Sequence, residues 1–539
     1  MHDAAAAQAP NRKLPPQSLA RVRAGVPTLA EASLAIASAL LLVLSFPDFD
    51  LWWLAWIGMV PLLAVVTRTP KAGRAFLLGW LWGLIFFYGS CWWLTYPMTH
   101  YAHIAAPVAY VLLLLPVIFV ALFPALFCAL LARVVSRFGP AALFVAPFLW
   151  VSFELGRYAV TGQMWNAIGY SQAFHPMLIQ SARWGGMYAV SFLILTVNAS
   201  IAFALLSRMA FGVALSVAVM GFVGVVLSVS FFNANWESLL SSEPSHPIVA
   251  VQPNVPMAGV DDSTAQRQLL DRHLELGAKG LGDARNQYSH ESLVIWPESP
   301  MNFSYSRDSH LRDAVATFAR TNHTAVLLNS LEPAPNAGEY NSAILVNEEG
   351  QKLAQYDKIR LMPFGEYVPL PQWIPGASSV RGIVGDFTPG SKYTLMPLGD
   401  LRAGVFICIE AAHPGIAREF TNEGADVLIN ISNDGYLGPT PVMRQHLSNA
   451  IFRAVENDRL LMRVTNSGIT ALISPVGKVW DTTAGFRPAV RSWTIRKEVF
   501  RKTFYTRHGE VFAYLCALIS LGVVAASFII RKNLINRRG

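Results

Sequence analysis

Charge is scarce in this chain. Asp, Glu, Lys and Arg together make up 14% of its 539 residues, where ordinary soluble domains carry about a quarter, and hydrophobic residues reach 53%. That balance excludes a purely soluble protein. Cysteine is also rare, at four residues, and no paired Cys or His spacing of the metal-binding kind occurs, so a structural zinc site is not expected. The formal net charge of +8 is accounted for mostly by short basic loops and a basic tail; nothing resembles a nucleic-acid-binding surface, and no nucleic-acid partner is expected.

What the chain does have is long apolar runs. Between residues 30 and 235 they recur near the roughly 20-residue length that crosses the hydrocarbon core, separated by short polar breaks. The reading is seven spans: "ASLAIASALLLVLSF", "LWWLAWIGMVPLLAVV", "AFLLGWLWGLIFFYGSCWWL", Ile104 to about Leu131, "AALFVAPFLWVSFEL", "YAVSFLILTVNASIAFALL" and "FGVALSVAVMGFVGVVLSVSFF". The first, second and fifth are short. A last run, "VFAYLCALISLGVVAASFII", over 511–530, makes eight.

Lys and Arg favour cytoplasmic loops. Lys13, Arg21 and Arg23 precede the first span, Arg68, Lys71 and Arg74 follow the second, Arg133 and Arg137 follow the fourth, and Arg208 follows the sixth, while "PDFD" and "TYPMTHYAH" carry neither residue. The expected organisation is a cytoplasmic amino-terminal segment (1–29), a seven-span bundle (30–235), an external domain (240–508), the eighth span (511–530) and a basic cytoplasmic tail (531–539). The first span lacks a small-residue cleavage site and reads as an uncleaved anchor.

Residues 240–508 mix charge, Pro and Gly with short β-type runs such as "PIVAVQP", "SLVIWPE", "HTAVLLNSL", "NSAILVN", "RAGVFICIE", "ADVLINISN" and "ITALISPVGKV". Polar stretches of helical spacing, "STAQRQLLDRHLELGAKGL" and "DSHLRDAVATFARTN", lie between them, an alternation that predicts a layered α/β domain.

Cys91, Cys128 and Cys516 fall in the spans, leaving Cys408 as the one thiol of the external domain. It reads either as core filler or as a nucleophile. Glu298, at the end of "LVIWPES", is a strand-end acid or a general base; Lys358 and Glu366, in "YDKIRLMPFGEYVP", are a snorkelling lysine with its neighbour or site groups. In the order Glu298, Lys358, Cys408 they supply what acyl transfer needs: a base, an oxyanion-stabilising cation and a nucleophile. His413 suggests a Cys-His pair, but Pro414 and "GIAREFTNEG" place it at a helix start.

These motifs resemble the nitrilase superfamily, whose Glu-Lys-Cys triad sits on an α-β-β-α sandwich. With seven spans before and one after, and with "PFGEYVP" and "SNDGYLG", the whole chain is similar to the apolipoprotein N-acyltransferase family of the bacterial inner membrane. The resemblance implies catalytic Glu298, Lys358 and Cys408, with Glu366 and Glu410 as supporting glutamates that hold Lys358 protonated and position the cysteine. It implies no cofactor and a ping-pong reaction by a single chain. The acyl donor would be a phospholipid, typically phosphatidylethanolamine, and the acceptor the α-amine of a diacylglyceryl-cysteine at the amino terminus of an apolipoprotein. The segment "YVPLPQWIPGASSVRGIVG" would form a lipid-touching lid or a plain loop. Four positions depart from the family pattern: Ile409, Tyr436 and the pair Val260-Asp261. Two other readings remain: a membrane-tethered amidase or nitrilase that hydrolyses a small periplasmic amide, passing the acyl group to water, and a transporter or sensor with a non-catalytic outer domain.

Overall fold

The computed structural model describes residues 25–207, 210–236, 245–258, 263–285, 292–335, 338–368, 387–497 and 501–529. Almost all of the lid segment and Val260-Asp261 lie outside the described residues.

The apolar half folds as helices: α1 (Leu29–Leu44), α2 (Trp52–Arg68), α3 (Ala72–His100), α4 (Ala106–Phe138), α5 (Pro140–Thr161), α6 (Met187–Leu206) and α7 (Ala210–Trp236), joined by the C-terminal helix Val511–Ile529. Among the described residues six of these are long and apolar enough to cross a membrane, and α1 and α2 are shorter. The fifth run, short by sequence, is part of a 22-residue helix because Pro140 starts a 3-10 turn that runs into it. Helix α1 starts at a capping box in which Thr28 and Glu31 satisfy each other's backbone N–H groups. "GWLWG" places Gly79 and Gly83 four residues apart on one face of α3; a Cβ there would lie 2.3 Å from the Pro124 carbonyl oxygen and 2.7 Å from the Pro124 ring. These glycines let α3 and α4 touch backbone to backbone.

Large apolar side chains such as Leu115, Phe119, Phe222, Leu518 and Leu521 remain exposed on the outside of the bundle, as expected of helices whose solvent is lipid. The protein is a multi-pass membrane protein.

The other half is a four-layer sandwich. One sheet runs β12-β1-β2-β3-β4-β5 and the second β11-β10-β9-β8-β7-β6. The strands are β1 (Ser245–Gln252), β2 (Ser292–Ile295), β3 (Thr324–Pro333), β4 (Glu339–Val346), β5 (Lys352–Asp357), β6 (Leu395–Leu398), β7 (Leu401–Ile407), β8 (Val427–Ser432), β9 (Leu461–Thr465), β10 (Ala471–Ile473), β11 (Val479–Trp480) and β12 (Ala489–Arg496). In each sheet three central strands are parallel, β1-β2-β3 and β7-β8-β9, and the flanking pairs are antiparallel.

Strand alternation builds the layers. Ile248, Ala250, Leu293 and Ile295 share a core with Val405, Ile407, Ile429 and Ile431 of the second sheet. Their neighbours Val249, Val251 and Val294 face Leu270, Leu311, Val315 and Phe318 of α8 (Ser263–Arg285) and α9 (Ser309–Asn322). The second sheet is covered by α10 (Pro414–Asn422) and α11 (Val442–Asn457).

Helix α11 also carries the bundle. Gln445 Oε1 accepts the indole N–H of Trp93 at 3.1 Å and of Trp165 at 2.9 Å, and its amide donates to the Ser90 carbonyl at 3.0 Å. Arg444 pairs with Asp50, Arg183 lies 2.6 Å from Asp458, and the Met187 N–H donates to Glu456 at 2.9 Å. The basic ends of the helices lie at the other pole, where Arg74 pairs with Glu31 and Arg133 donates to the Ser527 carbonyl at 3.0 Å.

Candidate active site

In open α/β sheets sites form beyond the carboxyl ends of parallel strands, and both sheets contribute here. Glu298 follows the central strand β2, Lys358 follows β5, and Cys408 follows β7. Glu298 stands three residues beyond the end of a strand flanked on both sides, rather than at a lateral edge of the sheet.

Cys408 has φ +53°, a left-handed conformation that costs energy for a residue with a Cβ. The strand breaks there into a 3-10 turn, Cys408–Ala412, so the thiol stands on a sharp corner, as nucleophiles on strand-to-helix elbows do. The corner is pinned. His446 Nε2 donates to the Cys408 carbonyl at 3.0 Å, and His446 Nδ1 lies 2.8 Å from Asp434 Oδ1. Arg463 in turn donates to Asp434 at 2.9 Å, and together with His446 it overcomes the effect of burial to push the Asp434 carboxyl down to about 2.

Glu410 is fully buried and works on backbone. Its Oε1 accepts from the Tyr356 hydroxyl (2.8 Å), Ile359 N–H (2.8 Å) and Arg360 N–H (3.0 Å), and its Oε2 accepts from Ile407 N–H at 2.8 Å. One carboxylate thus ties the Cys408 corner to the segment that carries Lys358. Burial raises its pKa, against the pull of those N–H donors and of Lys358.

Lys358 is 1% exposed, with Nζ 2.8 Å from Glu366 Oε1 and 3.4 Å from Glu298 Oε1. Burial works against its charge, but the two carboxylates outweigh it and hold the ammonium well above its ordinary pKa. Asn341 bridges the same acids, donating to Glu298 at 2.9 Å and to Glu366 at 2.7 Å. Glu298 Oε2 accepts the Asn433 N–H at 3.1 Å. The Cys408 thiol is raised by burial and by Glu298, with Lys358 acting the other way. The balance favours the thiol over the thiolate, so that a neighbouring base would be needed for the sulfur to act as a nucleophile.

The structure therefore gathers Glu298, Lys358, Glu366, Cys408 and Glu410 in one place, and divides the two supporting glutamates: Glu366 pairs with the lysine, Glu410 with backbone. His413 is the residue before α10, and no hydrogen bond links it to Cys408 among the described residues. Ile409 packs with Trp93, Trp165, Ala412 and Val442 in an apolar cluster shared with the bundle. Tyr436 stacks on Tyr101, 5.4 Å between centroids and 8° between planes. Sequence reading missed Asn341, Asn433 and the Asp434-His446-Arg463 chain, although "SNDGY" and "RQHLSN" carried polar residues amid apolar ones.

Two families match, in series. The apolipoprotein N-acyltransferase N-terminal domain matches residues 38–200, and carbon-nitrogen hydrolase matches residues 257–494. An apolipoprotein N-acyltransferase of Geobacter metallireducens is 32% identical over 93% of this chain and 96% of its own length. Relatives of the same name from Allorhizobium ampelinum (29% identical, 84% of this chain and 87% of theirs) and Chlorobaculum tepidum (26%, 93% and 97%) align similarly. Among solved structures, a mutant amidase from Nesterenkonia sp. AN1 in complex with acrylamide aligns with a TM-score of 0.37 at 17% identity, over 52% of this chain and 99% of that one. On its length-wide identity to these relatives, the chain belongs to the apolipoprotein N-acyltransferase family.

Proposed function

We propose that this protein transfers an acyl chain from a membrane phospholipid, through a thioester on Cys408, to the α-amine of the diacylglyceryl-cysteine that begins an apolipoprotein. The observation that carries this reading is the Cys408 thiol on its left-handed corner in the same site as a buried Lys358 held between the carboxylates of Glu298 and Glu366. In the first half-reaction the sulfur attacks the ester carbonyl as Glu298 takes the thiol proton, and Lys358 stabilises the oxyanion. The C–O bond then breaks and the proton passes to the departing lysophospholipid oxygen. In the second, the neutral amine attacks the thioester, Glu298 takes its proton, and the thiol is restored as the amide leaves. Glu366 and Asn341 fix the lysine and the base; Glu410 fixes the corner.

The basic helix ends lie opposite the pole that carries the sandwich. With positive ends inside, the sandwich faces outward, into the periplasm at a bacterial inner membrane. Residues 240–508 then form the external catalytic domain between seven spans and an eighth, flanked by the cytoplasmic segments 1–29 and 531–539, in a monomer that takes phosphatidylethanolamine from the outer leaflet.

The test is stoichiometry. Purified protein, phosphatidylethanolamine and a diacylglyceryl-cysteinyl peptide are expected to give one lysophospholipid per peptide amide, and none with Cys408→Ser. Free fatty acid in place of the amide contradicts acyl transfer to the amine.

A further inference from the structure

The second oxygen of Glu298 is served by the Asn433 N–H, and Asn433 opens the loop that follows β8. Inside the sandwich the loop is tied by Gly435 N–H and Asn466 Nδ2, which donate to Asn433 Oδ1 at 3.0 and 3.2 Å. Its outer side rests on the membrane half. The Tyr101 hydroxyl donates to the Gly435 carbonyl at 3.1 Å, and its ring lies flat on Tyr436. Gly438, at φ +69°, lies so close to Tyr96 that a Cβ would come within 2.3 Å of the phenol ring. Tyr96 packs edge-on against Tyr101 at 6.2 Å. Three aromatic contacts from residues 96–101 thus bear on six residues of loop, and the first of those six holds the carboxylate.

We propose that Tyr101, a residue of the membrane half, is a positioning residue of the acyl transfer: stacked on Tyr436 and bonded to Gly435, it presses the 433–438 loop into place so that the Asn433 amide aims Glu298 at the thiol. This inference rests on the reading of Glu298 as the base. The bundle then does more than anchor the sandwich. Part of its outer hairpin is a wall of the site, and Tyr436 supplies the ring that meets Tyr101.

The test is single-turnover formation of the acyl-enzyme from phosphatidylethanolamine vesicles, followed by intact mass. Tyr101→Ala and Tyr436→Ala are expected to slow it about tenfold or more at saturating donor, because small misplacements of a reacting group are costly, while the half-saturating donor concentration moves less than about threefold. Tyr436→Phe, which restores the ring, recovers most of the rate. In a Glu298→Gln background, whose slow residual acylation is followed over hours, Tyr436→Ala adds little further loss. Wild type that takes up no acyl group refutes the underlying reading. Wild type that does, with Tyr436→Ala equally fast or with its loss multiplying in full on Glu298→Gln, overturns this inference alone. If the alanine variants do not fold, Tyr101→Phe decides: it keeps the stack, loses the bond to Gly435 and is expected to slow acylation about threefold or more, and a wild-type rate overturns the proposal.

Discussion

Lys358 and Glu366 form an ion pair of 2.8 Å in which the lysine is almost wholly covered by protein. Removing one partner of a buried ion pair leaves its charge uncompensated, and here a second carboxylate, Glu298, lies 3.4 Å from the ammonium. In Glu366→Gln, Lys358 is expected to settle on Glu298, tying up the proposed base, and acyl-enzyme formation should fall about a hundredfold or more, the scale of removing an oxyanion-hole group. Single-turnover acylation checks this, with Lys358→Ala as the variant that loses both functions.

The thiol offers a test of sign. The Glu298 charge helps hold Cys408 in its protonated form. Glu298→Gln removes the proposed base and also that opposing charge. The variant is expected to keep only a slow residual acylation while its sulfur deprotonates at lower pH than in wild type. The pH dependence of iodoacetamide labelling, read at Cys408 by peptide mapping against Cys408→Ser, checks it. An unchanged or higher midpoint contradicts the electrostatics.

Glu410 accepts four hydrogen bonds while fully buried. Glu410→Ala leaves all four donors without a partner, and each buried donor so stranded costs about 1–3 kcal/mol. The variant should unfold at a clearly lower temperature, whereas Glu410→Gln, which keeps an acceptor oxygen, should lose less. Thermal unfolding in detergent separates them.

Asp434 gives a pH window. Its folded-state value of about 2 lies below the roughly 3.9 of an unfolded chain, so its charge stabilises the fold fully above about pH 4, and this contribution disappears as pH falls through 2. Asp434→Asn is expected to cost about 2 kcal/mol at pH 7. The gap between wild type and variant should close between about pH 4 and pH 2. Unfolding temperatures measured across that range follow the closure.

The sandwich was legible because strands such as "SLVIWPE" and "ADVLINISN" are apolar on both faces, and a parallel strand covered on two sides must be. The candidate site residues were legible because each ends or follows such a run. Helix α11 was not. "VMRQHLSNAIFRAVEN" looks solvated on one side, yet it is buried on every face, because its polar side chains, Gln445, His446, Arg453 and Glu456, meet partners in the bundle, the corner and the core. Polar groups that satisfy one another inside leave no periodic trace. The same holds for Tyr101 and Tyr436, whose 335-residue separation hides a face-to-face contact. The shortness of α1 and α2 was visible as short apolar runs, since a 16-residue helix such as α1 carries little beyond its apolar core.

One measurement bears most directly on the account: the intact mass of purified protein after incubation with phosphatidylethanolamine vesicles, before and after adding a diacylglyceryl-cysteinyl peptide. The expected result is a single acyl group on wild type, none on Cys408→Ser, and its rapid loss to the peptide amine but not to water. A wild-type protein that never gains that mass, or a Cys408→Ser protein that gains it equally, contradicts the account.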